Sequence, residues 1–176
     1  MALELPERSG DKFFASLERV RSASLSGNFT RRENLHLTLV FLGEQPEERL
    51  DGVREAMDSV PLSPVTLTIG SLERFRNRDG DTLVRLAEKE SNLMTLQASL
   101  EEALRRRGFS VEERAYRPHL TIGRKVSLRS GVTLDDLNRE IPPLTARIGK
   151  MTLFRSHRVD GVLTYTPLYS RCLPFS

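Results

Sequence analysis

Hydrophobic residues recur at helical spacing in two long stretches of the chain. One stretch begins after Pro6 and the other ends at Gly108, a residue type that commonly closes helices. Because its hydrophobic residues lie three or four positions apart, the second stretch has one apolar face. These residues are Leu93, Leu96, Leu100 and Leu104. Shorter helices are predicted at 46–59 and 134–139.

Between these helices the chain contains short hydrophobic and alternating segments with the two-residue period of β-strands. We expect strands at 2–5, 35–42, 65–75, 82–86, 119–123, 145–154 and 162–168. Because helices and strands alternate, parallel crossovers are expected beside antiparallel hairpins. The predicted fold class is α+β, with two sheets, helices outside, and the strands at 35–42 and 119–123 in central positions.

The second half of the chain repeats the order of the first. From Pro64 the sequence is P-V-T-L-T-I-G-S-L-E-R-F-R, and from Pro143 it is P-L-T-A-R-I-G-K-M-T-L-F-R. An Asp-Gly pair follows in both copies. The spacing predicts one domain of two repeats, at about 1–81 and 82–176, with a shared site where they meet. Two similar hairpins are the alternative, since Asp-Gly turns are common.

Two of the three histidines occupy the same short motif, His-x-Thr-x. Thr38 follows His36, and Thr121 follows His119, each inside a predicted strand. Residues two apart on a strand point to the same face, so each motif places an imidazole beside a hydroxyl. Two such pairs facing across a cleft supply a general acid, a general base and two hydroxyl donors. This set suits cleavage of a phosphodiester.

Other uses of these histidines remain as alternatives. A single histidine on a strand is commonly a half-buried structural residue, and threonine is a good strand former in its own right. Zinc requires three or four ligands, and neither motif has a carboxylate on its own strand face, so no metal or other cofactor is expected. His157 is expected in a solvated hairpin turn, with a contact to RNA phosphate as the alternative.

Composition narrows the class of protein. The chain has 176 residues, of which 38% are hydrophobic and 29% are charged, enough for one folded domain. The net charge is only +3, but most basic residues are arginine, whose planar fork suits phosphate. A single cysteine excludes an internal disulfide. No hydrophobic run reaches the ~18 residues of a membrane span, and no signal peptide is recognised, so a cytoplasmic protein is expected. Nothing in the sequence requires more than one chain, so a monomer is expected.

The two motifs lie in longer blocks that carry a family resemblance. The first block is N-L-H-L-T-L-V-F-L-G-E from Asn34, and the second is R-P-H-L-T-I-G-R from Arg117. Together they resemble the paired signatures of the 2H phosphoesterase superfamily, and within it the RNA 2′,3′-cyclic phosphodiesterases, also called 2′-5′ RNA ligases. The resemblance covers nearly the whole chain. It implies a bilobal, pseudo-twofold α+β fold whose two antiparallel sheets form a concave groove with helices outside.

The resemblance also implies an activity and the residues that perform it. Family members hydrolyse 2′,3′-cyclic phosphates, at RNA ends or on nucleosides, to 2′-phosphates without a metal. By position, His36 resembles the proton donor and His119 the proton acceptor. Thr38 and Thr121 resemble the hydroxyls that bind phosphoryl oxygens. Because the halves are similar, the reverse assignment of acid and base stays open.

Three further residues are candidates for substrate binding. Phe41 and Arg124 each follow a motif histidine by five residues and resemble positions that hold the nucleobase. On a regular strand such a residue points to the opposite face, so either role requires a bulge or a strand end, which Gly123 favours beside Arg124. Core packing is the alternative for Phe41. Arg31, just before the first block, is a candidate contact to an RNA strand.

Two other functions stay open at this point. A relative within the family would act on 2′-5′ linkages, by hydrolysis or by ligation. A catalytically inactive nucleotide- or RNA-binding module would keep the groove. The intact His-Thr pair in both motifs argues against the module, since binding alone does not need a titratable group at both positions.

Overall fold

The chain folds into helices and strands close to the predicted positions over residues 1–174, which the computed structural model describes. The helices are α1 (Glu7–Ser22), α2 (Leu50–Ser59), α3 (Ser91–Arg106) and α4 (Leu134–Glu140). The strands are β1 (Ala2–Glu4), β2 (Ser24–Phe29), β3 (His36–Thr38), β4 (Val65–Phe75), β5 (Thr82–Ala87), β6 (His119–Leu128), β7 (Leu144–Ile148), β8 (Lys150–Val159) and β9 (Val162–Cys172). The α+β prediction is confirmed.

Local side-chain chemistry sets the ends of two helices. At the start of α3, the Glu90 carboxylate accepts hydrogen bonds from the backbone N–H groups of Asn92 and Leu93, at 3.0 and 2.8 Å. The start of α4 is a capping box formed by Thr133 and Asp136. Gly108 follows α3 with φ of +74°, the left-handed conformation that the sequence predicted there.

The strands form two sheets, and each pairing among residues 1–174 is antiparallel. The first sheet has the order β3-β1-β8-β9, and the second has the order β2-β6-β5-β4-β7. Two antiparallel sheets are therefore confirmed, whereas the expected parallel crossovers were wrong. The expectation of central histidine strands was also wrong, because β3 is an edge strand and β6 lies second from an edge.

The predicted strand at 145–154 is two strands in different sheets. Ile148 pairs with Val65 in the second sheet, whereas Lys150 pairs with Cys172 in the first. The chain changes sheets at Gly149, whose carbonyl accepts a hydrogen bond from Leu173 N–H at 2.9 Å. This crossing point joins the two lobes. The proposed repeat boundary lies in the turn between β4 and β5, and residues 175 and 176 of the second repeat lie outside the described residues; the division into repeats stays a prediction.

One strand was missed and another is shorter than predicted. β2 is a polar edge strand that pairs irregularly with β6, and its Ser, Gly and Asn residues are poor strand formers. The strand predicted at 35–42 is only β3, because a 3-10 turn, Arg32–Asn34, precedes it and an irregular segment follows Thr38. The backbone N–H groups of Leu39 and Val40 both donate to the Met1 carbonyl there.

Helices α1, α3 and α4 contact strands of the second sheet, whereas α2 contacts α3 and β9 of the first sheet. The face of the second sheet that α1 covers belongs to the core. Leu83, Leu120 and Ile122 are buried on this face, together with the side chain of Arg85, which is only 1% exposed. The Arg85 guanidinium donates to Ser16 Oγ of α1 at 3.0 Å, so α1 lies on this side of the sheet. The opposite face of the second sheet carries His119 of β6.

Candidate active site

The first histidine motif lies on β3 with its polar residues on one face. Leu37 is fully buried and pairs with Leu3 of β1, so its side chain points into the core. His36, opposite Glu4, and Thr38 point to the other face. The imidazole is half-buried and the threonine is exposed. The motif therefore presents an imidazole and a hydroxyl side by side, as predicted.

The second motif occupies the start of β6 in the same manner. Leu120 and Ile122 are fully buried, whereas the half-buried His119 and Thr121 lie on the opposite face. Within residues 1–174, no protein group hydrogen-bonds to the side-chain hydroxyl of Thr121, and the same holds for Thr38. Each hydroxyl therefore keeps its donor for a ligand.

Hydrogen bonds tie the two motifs together at the junction of the sheets. The Tyr116 hydroxyl, three residues before His119, donates to the Thr38 carbonyl at 2.9 Å. Thr30, shortly before β3, donates its hydroxyl to the Thr121 carbonyl at 2.8 Å and its N–H to the Ile122 carbonyl at 2.9 Å. β3 and β6 are in contact. The structure thus brings the two motifs to one place.

Two groups contact the His119 ring, and a third holds one of them in place. Its Nδ1 lies 2.7 Å from the Arg117 carbonyl oxygen, so the Nδ1–H tautomer donates there and Nε2 is left for chemistry. The Phe75 ring contacts the imidazole edge-on, with centroids 5.1 Å apart. The Arg117 guanidinium lies over the Phe75 ring at 4.8 Å and 3.2 Å from Glu73 Oε2.

His36 has a similar aromatic setting on the other lobe. Its ring stacks against Phe154 at 5.6 Å and meets Tyr165 edge-on at 4.6 Å. Sequence reasoning did not assign a role to Phe75, Phe154 or Tyr165. The signal was present, however, because the Phe-Arg pair of each repeat places one phenylalanine against one histidine.

Burial holds His36 in the neutral form. Its pKa falls to about 4, first because burial disfavours the charged ring and next because of the nearby N-terminal amino group of Met1, whose own pKa burial lowers to about 5. A backbone hydrogen bond with Asn34, two residues earlier, and the carboxylate of Glu4 raise the pKa but do not offset burial. The ring is therefore neutral at pH 7 in the protein alone.

His119 is shifted in the same direction with different neighbours. Burial lowers its pKa most, and the hydrogen bond to the Arg117 carbonyl raises it. The positive charges of Arg124, Arg117 and Arg114 lower the pKa further. The charged groups that act on His119 are thus positive, whereas His36 has, beside the N-terminus and Arg124, the carboxylate of Glu4 on the neighbouring strand β1.

A β-bulge brings Arg124 to the histidine face. Val84 pairs with Thr121, but the next residue of β5, Leu83, pairs with Gly123, so β6 contains one extra residue. Thr82, on the same face of β5 as Val84, then pairs with Arg124. The exposed guanidinium lowers the pKa of both His36 and His119, so its charge acts on both rings. The bulge that Arg124 needs to share a strand face with the histidine is therefore present.

The remaining predicted site residues lie at the margins. Phe41 is 71% exposed in the irregular segment after β3, so core packing was wrong for this residue. Arg31 is exposed and pairs with Glu33 at 3.3 Å. His157 lies within β8 and its Nε2 is 2.8 Å from Thr166 Oγ1, so its predicted place in a turn was wrong.

Two further observations concern other kinds of site. Within residues 1–174, no group of three or more His, Cys, Asp or Glu side chains is arranged to hold a metal ion. In the same part of the chain, no helix has both the length and the apolar character needed to cross a membrane.

Paired imidazoles, paired threonines and one shared arginine at the junction of two antiparallel sheets define a 2H phosphoesterase. Comparison with known proteins specifies the family. The sequence model described as the 2′-5′ RNA ligase superfamily matches residues 6–160. The chain belongs to the 2′-5′ RNA ligase superfamily.

Individual relatives agree with this assignment over most of the chain. The RNA 2′,3′-cyclic phosphodiesterase of Methanothermobacter thermautotrophicus is 28% identical over 174 residues, covering 96% of this chain and 94% of that protein. The protein of the same name from Methanocaldococcus jannaschii is 28% identical over 124 residues, covering 70% of this chain and 69% of that protein. The structure of E. coli LigT complexed with 3′-AMP superposes with a TM-score of 0.77 at 25% identity, covering 98% and 95% of the two chains.

Proposed function

We propose that this protein hydrolyses 2′,3′-cyclic phosphates, at RNA ends or on nucleosides, to 2′-phosphates by two-histidine acid–base catalysis. The observation that carries the proposal is the joining of the two His-Thr faces, with the charge of Arg124 acting on both imidazoles. Relatives named RNA 2′,3′-cyclic phosphodiesterase support the proposal. The similar fold of E. coli LigT, whose structure contains 3′-AMP, supports it as well.

The surrounding charges favour one direction of proton transfer. The cationic neighbours of His119 stabilise its neutral ring, which suits a general base that takes a proton from water. Glu4, opposite His36, offsets part of the lowering of its pKa, so this carboxylate favours an imidazolium on His36, which suits a general acid. Water then attacks phosphorus, the P–O3′ bond breaks, and His36 protonates O3′. The product is a 2′-phosphate with a free 3′-hydroxyl, and the two histidines return to their starting protonation states through solvent.

The substrate's own charge prepares the acid. Both imidazoles have lowered pKa values in the protein alone, so neither is positively charged at pH 7. A bound cyclic phosphate brings a negative charge beside them, which raises both pKa values and favours the protonated ring next to Glu4. Acid catalysis by His36 therefore begins when substrate binds.

The other predicted residues take supporting roles in this proposal. Thr38 and Thr121 donate hydroxyl hydrogen bonds to the non-bridging phosphoryl oxygens, and Arg124 offsets their developing charge. The exposed ring of Phe41 offers a flat surface for the nucleobase, and Arg31 contacts an RNA strand after releasing Glu33. A cytoplasmic location and a monomeric state stay predictions from the sequence.

Product analysis tests the proposed function. Incubation with 2′,3′-cyclic AMP, followed by chromatographic separation of 2′-AMP from 3′-AMP, should yield 2′-AMP only. 3′,5′-Cyclic AMP, which carries its phosphate in a six-membered ring across O3′ and O5′, serves as the matched control and should be hydrolysed far more slowly. Formation of 3′-AMP alone contradicts the proposed direction of cleavage. Binding without turnover supports an RNA-binding module, and turnover only of a 2′-5′-linked dinucleotide supports the other family activity.

A further inference from the structure

A row of three side chains crosses three strands of the second sheet beside His119. Arg124 of β6 pairs with Thr82 of β5, which in turn pairs with Phe75 of β4. The Phe75 ring, at the β4 end of the row, contacts the His119 imidazole. Adjacent strands lie ~4.8 Å apart, so the row spans about 10 Å from β6 to β4. Thr82 is buried, so a nucleotide chain attached to a phosphate held at His119 meets Phe75 and Arg124 on this surface.

Positively charged side chains continue beyond the row. Arg76 and Arg78 follow Phe75 in the turn after β4, and Lys125 follows Arg124; all three are exposed. Within residues 1–174, none of these three has an ion pair or hydrogen bond through its side chain. Many other arginines of the chain are paired; Arg74 beside this turn, for example, lies 3.1 Å from Asp81.

The backbone of Lys125 is held in an unusual conformation. Its φ is +53°, in the left-handed region that residues other than glycine seldom adopt. Strand pairing with β2 shifts register at this point, from Ser26 opposite Ser127 to Asn28 opposite Arg124. Lys125 also packs against the turn after β4, because a Cβ atom on Gly80 would lie 3.3 Å from the Lys125 Cα. The turn that carries Arg76 and Arg78 therefore lies beside Lys125.

We propose that Arg76, Arg78 and Lys125 bind the phosphodiester backbone of the RNA strand upstream of its cyclic phosphate end. This inference rests on the proposed function and specifies its substrate as an oligonucleotide. Guanidinium and ammonium groups suit successive phosphates irrespective of base. Asp79 adds one negative charge beside these three positive groups, so the surface keeps a net positive charge. An acidic peptide would meet the same charges, but it has no cyclic phosphate to place at His119.

Two substrates with the same reacting end separate this surface from the catalytic groups. The double variant R76Q/R78Q should hydrolyse 2′,3′-cyclic AMP within twofold of the wild-type rate. For a pentanucleotide ending in adenosine 2′,3′-cyclic phosphate, kcat/KM should fall about tenfold, because two exposed phosphate contacts are lost. R105Q/R106Q removes two arginines from α3 and is the matched control, with both substrates unaffected. K125N removes the ammonium group and introduces asparagine, a residue type that tolerates positive φ. It should also lower kcat/KM only for the pentanucleotide.

Binding gives a readout that does not depend on turnover. Fluorescence anisotropy with a labelled pentanucleotide ending in a 2′-phosphate should show weaker binding to R76Q/R78Q. The salt dependence of log Kd should become shallower by about 0.7 for each lost contact. Equal losses on both substrates, or no loss of pentanucleotide binding, overturns the inference. If the wild type hydrolyses neither substrate, the proposed function fails, while anisotropy still tests the surface. Preferential binding of an acidic peptide would overturn the inference and assign the surface to a protein partner.

Discussion

Replacing His119 with alanine should lower kcat for 2′,3′-cyclic AMP by about 10²–10⁴-fold, and replacing His36 should do the same. Each imidazole performs one proton transfer in the same step, so the two losses should not add fully in the double variant. Both rings are only half-buried and lie on the face opposite the core, so the variants should keep their fold. Initial-rate measurements beside circular dichroism check both expectations.

The third histidine provides the control for these variants. His157 lies on β8, and its side-chain contact is a hydroxyl of the neighbouring strand β9. H157A should therefore retain wild-type activity. If a folded H119A or H36A variant keeps more than a tenth of the wild-type kcat, two-histidine catalysis is wrong for this protein.

Replacing Arg85 with methionine should lower the free energy of unfolding by about 3 kcal/mol. The buried guanidinium donates to the Ile69, Gly70 and Pro142 carbonyls at 3.1, 3.0 and 2.8 Å. Its fourth partner, the Ser16 hydroxyl, connects it to α1. Methionine fills part of the volume but leaves these acceptors without their donor, and buried unsatisfied groups are costly.

Chemical denaturation measures the effect of this substitution. R85K should recover only part of the loss, since one ammonium group cannot reproduce the planar spread of a guanidinium. R106M, on the exposed face of α3, is the matched control and should change stability by less than about 0.5 kcal/mol. An R85M midpoint equal to that of the wild type would show that the buried charge costs as much as its hydrogen bonds contribute.

Local periodicity predicts most helices and strands of this fold, but it does not assign strands to sheets. Alternation continues through Gly149, where the chain leaves one sheet for the other, so one long strand was expected in place of β7 and β8. β2 was missed because an edge strand with one neighbour tolerates Ser, Gly and Asn. Parallel pairing was expected from element order alone, and pairing direction depends on long-range contacts that periodicity does not report.

The candidate site divides in the same way between local and long-range information. The spacing of His36 and Thr38 on one face follows directly from strand geometry. The position of Arg124 depends on a bulge, for which Gly123 was only a hint. The phenylalanine contacts to each imidazole required knowing which strands meet, although the repeated Phe-Arg pair marked Phe75 and Phe154 as equivalent.

A histidine-selective NMR titration with 2′-AMP tests most directly whether both imidazoles flank one phosphate. In the protein alone, the pKa of His36 should be about 4 and that of His119 below 6.5, because burial disfavours both charged rings. Saturation with 2′-AMP should raise both pKa values, since an anion beside each ring stabilises its protonated form. Both sets of ring signals should follow one binding curve with one Kd at one nucleotide per chain, while the His157 signals stay in place. A response from only one of the two rings, or two separate binding curves, would contradict a shared phosphate site.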